Sequence, residues 1–151
     1  MNIGIGTPES NHWMAIHSIL FAASAFIILS LGAIHLFYTF YGARLHPRNR
    51  DLRKRMQEDS PVLTKETTMW KAWIGFNASH SLGAIFFGVV YLDLSLEQNE
   101  FLIGSCLFKT LGLAVLIAYF FLGRAYWFSV PFRCISLALV LFVAAIICTW
   151  F

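Results

Sequence analysis

The chain has 151 residues, of which 58% are hydrophobic and 13% charged, and its formal net charge is +3. A soluble domain carries about 25% charged residues, so there is too little charge here to coat a water-facing surface. The small positive excess is interspersed with acidic residues, which marks a solvated loop and not a nucleic-acid footprint.

The chain opens on a short polar lead, residues 1–11, with Gly4, Gly6, Pro8 and Glu9. No Lys or Arg precedes Arg44, and a cleavable signal needs a basic segment before a short apolar run, so none is expected. From His12 to Ala43 there is no formal charge. Crossing the hydrocarbon takes about 20 helical residues, which predicts a first membrane helix over about 13–41.

Residues 42–60 form the one substantial loop and hold much of the basic charge, mixed with Asp51, Glu58 and Asp59. Gly42 can end the first helix, and Pro47 disfavours helix at His46. Leu52 and Met56 are four apart, as are Asp51 and Arg55, which supports a short amphipathic turn or two at the membrane surface. A loop of this kind can lean on anionic lipid. Ser60-Pro61 has the form of an N-cap followed by proline at the first helical position, so a second helix is expected over 61–92. Trp70 would mark its entry into the membrane, with Lys71 snorkelling back to the interface.

The link Asp93-Leu-Ser-Leu-Glu-Gln-Asn-Glu100 is short and acidic. A third helix is predicted over about 101–123, with Lys109 inside it. The run Tyr126-Trp127-Phe128 has the chemistry of an interfacial aromatic belt, and Pro131 can open a fourth helix over 131–151, ended by Trp150 and Phe151. The fold expected is therefore all-α, a single integral membrane domain over 1–151 built as an antiparallel four-helix bundle. Basic residues favour the cytoplasmic side. The 42–67 and 124–133 segments carry them, which puts loop 42–60 in the cytoplasm and both termini outside. Cys106, Cys134 and Cys148 lie in apolar stretches without a C-x-x-C pair and are expected to act as small buried hydrophobes.

Ionisable residues inside a membrane helix are costly and face the bundle interior or a cavity. His17, His35, His80 and Lys109 stand out, joined by Asn77. His35 lies roughly 10 Å from the end of its helix at Gly42, and His80 about 13 Å past Lys71, at 1.5 Å per residue, so the two imidazoles share a depth on adjacent helices. Tyr38 and Thr39 fall on the His35 face. In the second helix Gly75, Ser79 and Gly83 recur every fourth residue, a small-residue ridge that would let another helix approach closely. Trp73, Asn77, His80, Ser81 and Ala84 fall on a neighbouring stripe. Asn77 and His80 can either bond across helices as packing glue or line an intramembrane polar pocket with His35 and Tyr38.

Other chemistry is thinly supported. Two histidines at matching depth raise a bis-histidine haem, for which close packing along the small-residue ridge would leave no gap. No H-E-x-x-H occurs, and no Asp or Glu lies within a span to complete a metal site. Ser79 and His80 point about 100° apart and form no dyad. Lys109 can snorkel, bond a carbonyl or hold an anionic group, and with His17 could begin a transport path.

The run from Leu63 to Gly83, with Gly-Phe-Asn-x-Ser-His-Ser-Leu-Gly at its centre, resembles that of a family of small bacterial four-helix membrane proteins of uncharacterised function. Gly32-x-x-His35-Leu36-x-Tyr38-Thr39 and Tyr126-Trp127-Phe128-x-x-Pro131 are similar to that family too. The resemblance implies a bacterial inner-membrane protein and carries no activity or cofactor. The reading that results is a non-enzymatic integral membrane protein. It binds a lipid or quinone-like molecule, or serves as a small subunit of a membrane complex or homo-oligomer. A haem-binding redox protein using His35 and His80, and a small transporter using Lys109, are the alternatives.

Overall fold

The computed structural model describes residues 8–150, with side chains from Ile16 onward; most of the polar lead and the Phe151 anchor lie outside the described residues. Six helices follow in order: α1 (Pro8–Phe40), α2 (Arg50–Glu58), α3 (Met69–Leu96), α4 (Asn99–Gly104), α5 (Cys106–Tyr126) and α6 (Ser129–Cys148), with no strand among the described residues. Four stretches are long and apolar enough to cross a membrane: Ile16–Phe40, Met69–Leu96, Cys106–Tyr126 and Ser129–Cys148. Each meets the need for about 20 helical residues. The protein is all-α and integral to a membrane, and its outward side chains are lipid-compatible, Phe76, Phe86, Leu107 and Phe121 among them.

Two helix starts differ from expectation. The second membrane helix does not begin at Ser60-Pro61. Pro61 instead opens a turn closed by Thr64 N–H on its carbonyl at 3.2 Å, and Thr64 Oγ1 takes the Glu66 N–H. The helix starts after Thr68, whose Oγ1 accepts from Lys71 N–H at 3.3 Å. The turn at Pro61 takes the place of a first helical turn there, and the cap falls to Thr68. The third membrane helix is likewise interrupted, not continuous from Phe101. Ser105 closes α4 by donating its N–H to the Phe101 carbonyl and opens α5 by accepting from Phe108 N–H. At the other end of the basic loop the amphipathic turn forms as α2, N-capped by Asn49, whose Oδ1 accepts from Asp51 N–H at 2.8 Å. Gly42 leaves α1 at φ +87°, a left-handed conformation that glycine adopts without steric cost.

The chain divides into two compact units, one made of Met1–Leu29 with Phe86–Phe151, the other of Ser30–Ile85. The first has an aromatic and aliphatic core. Phe21 and Phe142 are fully buried edge to face with centroids 4.9 Å apart, and Leu116, Ile135, Ala138 and Ala145 are enclosed with them. Ser24 donates to the Ala138 carbonyl at 2.8 Å, Ser18 to that of Ser95 and Tyr91 to that of Phe108 at 2.7 Å. These are hydroxyls that would otherwise stand unpaired in hydrocarbon. A two-residue link, Trp127-Phe128, joins α5 to α6, and the pair runs antiparallel, with Gly112 against Phe142 and Phe120 against Phe132. At Gly88 an added Cβ would come within 2.8 Å of the Leu29 backbone, so α1 and α3 touch there main chain to main chain.

The second unit is built differently. Its buried positions are Gly32, Thr39, Asn77, Ser81 and Ala84, small or polar throughout. A Cβ on Gly32 would meet Ala84 Cβ, Ile85 N and the Ser81 carbonyl at 3.0 Å each. The close approach in this unit therefore runs through Gly32, Ser81 and Ala84. The ridge of Gly75, Ser79 and Gly83 does not make it. All three are exposed, and nothing lies within 4 Å of a Cβ placed on Gly75. The stripe expected to stand beside the contact is the contact, because Asn77 must bring its amide to a partner and Gly32 offers the matching gap. The cysteines also depart from expectation: Cys106 is exposed and Cys134 and Cys148 are half-buried, all three free. In a membrane an apolar position has no need to face the protein core.

Candidate functional site

The residues that position the candidate site come from the C-terminal turns of α1 and the N-terminal turns of α3. Asn77 is 8% exposed. Its Nδ2 donates to the Trp73 carbonyl one turn back at 2.7 Å, which turns Oδ1 toward α1, where it lies 3.0 Å from His35 Nε2. With the amide oriented this way the oxygen accepts, so the imidazole carries its proton on Nε2 and presents Nδ1 as the basic nitrogen. Thr39 donates to the His35 carbonyl at 2.8 Å, and Ser81 to the Asn77 carbonyl at the same distance. Both hydroxyls are thus satisfied inside their own helices.

His80 meets His35 edge to face, ring centroids 5.7 Å apart and planes at 88°. The structure so brings together three of the four residues singled out in the sequence. Tyr38 is directed elsewhere: its ring lies under the Arg44 guanidinium, 4.5 Å from the centroid. His35 is half-buried, and no hydrogen bond to its Nδ1 is formed among the described residues. Surface hollows of about 470 Å³ at Leu96–Phe101 and about 320 Å³ at Asn49, Asp51, Leu52 and Arg55 lie away from the imidazoles.

The histidines as placed do not fit axial ligation of haem. Both would have to aim a nitrogen at one iron across a porphyrin, whereas the rings touch each other and His35 Nε2 is held by Asn77. Among the described residues no group of three His, Cys, Asp or Glu side chains is placed to hold a metal ion.

The other intramembrane ionisable residues have separate surroundings. Lys109 donates through Nζ to the Ile103 carbonyl at 2.6 Å, a group left over where α4 breaks off. His17 is 4% exposed, and its Nδ1, like Asn99 Oδ1, is enclosed without a well-formed hydrogen bond among the described residues. At the head of α3 a further cluster escaped sequence reasoning. Arg53 sits over the Trp70 ring at 5.0 Å, His46 meets the same ring edge-on at 5.0 Å, and Trp73 Nε1 donates to the Leu45 carbonyl at 3.3 Å. Arginine and histidine in the loop, ahead of Trp70 and Trp73 at the head of α3, were the available signal. No family model, no curated protein and no solved structure matches the chain.

Proposed function

We propose that this protein binds an apolar molecule of the quinone class at the His35–Asn77–His80 cluster, with the carbonyl or hydroxyl head of the ligand on His35 Nδ1. The observation that carries this reading is the 3.0 Å contact of His35 Nε2 with Asn77 Oδ1, an oxygen that can only accept. Asn77 holds the Nε2 proton, and Nδ1 is left as an unsatisfied acceptor within an apolar span, where an unpaired polar group is costly. A quinol hydroxyl would donate to the neutral imidazole, and a protonated imidazole would donate to a quinone carbonyl. The small residues Gly75, Ser79 and Gly83, exposed beside His80, leave shallow room on the helix surface for a flat ring or a prenyl tail. Asn77 acts here as a positioning residue. Tyr38, committed to Arg44, borders the site and does not enter it. The setting proposed is a bacterial inner membrane, with the basic loop cytoplasmic and both termini periplasmic, in keeping with the positive-inside rule.

The test is extraction of whatever copurifies in mild detergent, followed by mass spectrometry for prenyl quinones. Wild type should retain a quinone near one per chain, and His35→Leu should lose at least nine-tenths of it. If wild type retains none and takes up none of an added menaquinone or ubiquinone, the reading falls. A Soret band in the purified protein would assign the histidines to haem instead.

A further inference from the structure

The loop between the first two membrane spans carries a second feature. Seven basic residues, Arg44, Arg48, Arg50, Arg53, Lys54, Arg55 and Lys65, stand against four acidic ones between positions 44 and 66. The only ion pair recorded among them is Lys54–Glu58, exposed and stretched to 3.9 Å. Two arginines are not free to wander: Arg44 is laid on Tyr38 and Arg53 on Trp70. Those rings belong to the last turns of α1 and the first of α3, where the apolar spans end at Phe40 and begin at Met69. Both guanidinium groups thus lie where the apolar spans end, the zone in which Tyr and Trp collect at headgroups. The Arg53 Nε is enclosed and has no hydrogen-bond partner among the described residues. In the same loop the turn after Pro61 holds out two large apolar side chains, Val62 and Leu63, which are almost wholly exposed, Leu63 at 94%. Leu52 of α2 is exposed as well.

We infer that this loop is a docking surface for anionic phospholipid of the membrane the protein spans. Lipid phosphates pair with Arg53 and Arg44, each held on its own ring, and Val62 and Leu63 are sunk at the boundary between headgroups and acyl chains. Charge complementarity decides the occupant. Guanidinium pairs phosphate through two N–H groups in a plane, and the aromatic beneath each arginine lowers the entropy lost when it engages. Exposed Val and Leu next to a soluble partner would face water whenever that partner left. Placed within a few residues of a membrane span, they meet acyl chains continuously. Basic residues near an anionic leaflet each add attraction that falls off within the screening length.

The full chain in mild detergent is titrated with equal amounts of phosphatidylglycerol and phosphatidylcholine of matched acyl chains, and retained lipid is counted by native mass spectrometry. Phosphatidylglycerol should be retained at least fivefold over phosphatidylcholine. The double substitution Arg44→Gln with Arg53→Gln should bring the ratio to about one, while Arg53→Lys alone should keep part of it. Val62→Ser with Leu63→Ser should lower retention of both lipids together and leave the ratio unchanged. Circular dichroism checks that each variant remains helical. Equal retention of the two lipids by wild type overturns the inference, as does a preference that survives the double arginine substitution in a folded protein. Displacement of phosphatidylglycerol by millimolar inorganic phosphate would assign the arginines to a soluble anion and overturn it equally.

Discussion

Asn77 shows how one amide can be consumed and useful together. It spends Nδ2 on its own helix and Oδ1 on His35, so both ends are satisfied and the imidazole opposite loses its choice of tautomer. Replacing Asn77 by Ala should release that choice. Nitrogen-15 NMR of labelled histidine should show His35 protonated on Nε2 in wild type and a mixture of tautomers in Asn77→Ala. The stability cost should be small, about 0.6 kcal/mol and at most about 1.7 kcal/mol on the scale of interhelical hydrogen bonds in membranes, read as a shift in the unfolding midpoint. His35, Asn77 and His80 were legible in the sequence because polar residues are rare in a span and their depths can be counted along the chain. Their rotation about the helix axes was not legible. The sequence offered Tyr38 as a fourth member on spacing alone, yet Arg44, beyond the helix end, takes that ring.

At the scale of the helix, the contrast between two small-residue faces is instructive. Both Gly75/Ser79/Gly83 and Asn77/Ser81/Ala84 are eligible seams, since lipid does not penalise leaving either one open. The choice falls to the partner, and Gly32 on α1 supplies a gap matched to Ala84 and Ser81. Gly32→Val should therefore cost about 1–3 kcal/mol, the usual price of overpacking a close contact. Gly75→Val, with open space around it, should leave the unfolding midpoint nearly unchanged. Equal losses at the two sites would mean that the exposed ridge is covered after all. The existence and number of the membrane helices could be read from charge-free length. Where they start in water could not, because Pro61, Thr64, Thr68 and Ser105 each offer a plausible local turn or cap, and competition among hydrogen bonds selects between them.

For the molecule as a whole, the proposed topology with four spans leaves the segments before α1 and after α6 on one side of the membrane. Basic residues crowd the α1–α3 loop and flank the α5–α6 link. A reporter enzyme active only in the periplasm, fused after Phe151, should therefore be active, and one inserted between Glu58 and Ser60 should be silent. The reverse pattern would invert the topology and move the arginines of the loop to the opposite leaflet. The two units also differ in kind. The one around Phe21 and Phe142 is held by fully buried rings, the one around Asn77 by small contacts and hydrogen bonds.

The link between α5 and α6 bears on how the chain reaches its place. Trp127 and Phe128 are all that separate the two helices, too few residues to let one wander from the other in the bilayer plane. So short a link holds α6 against α5, Phe132 beside Phe120 and Gly123. The two helices therefore form a hairpin whose pairing the link itself enforces. The first two spans are joined by the whole basic loop, so the helices that carry His35 and Asn77 are tethered far more loosely than α5 and α6.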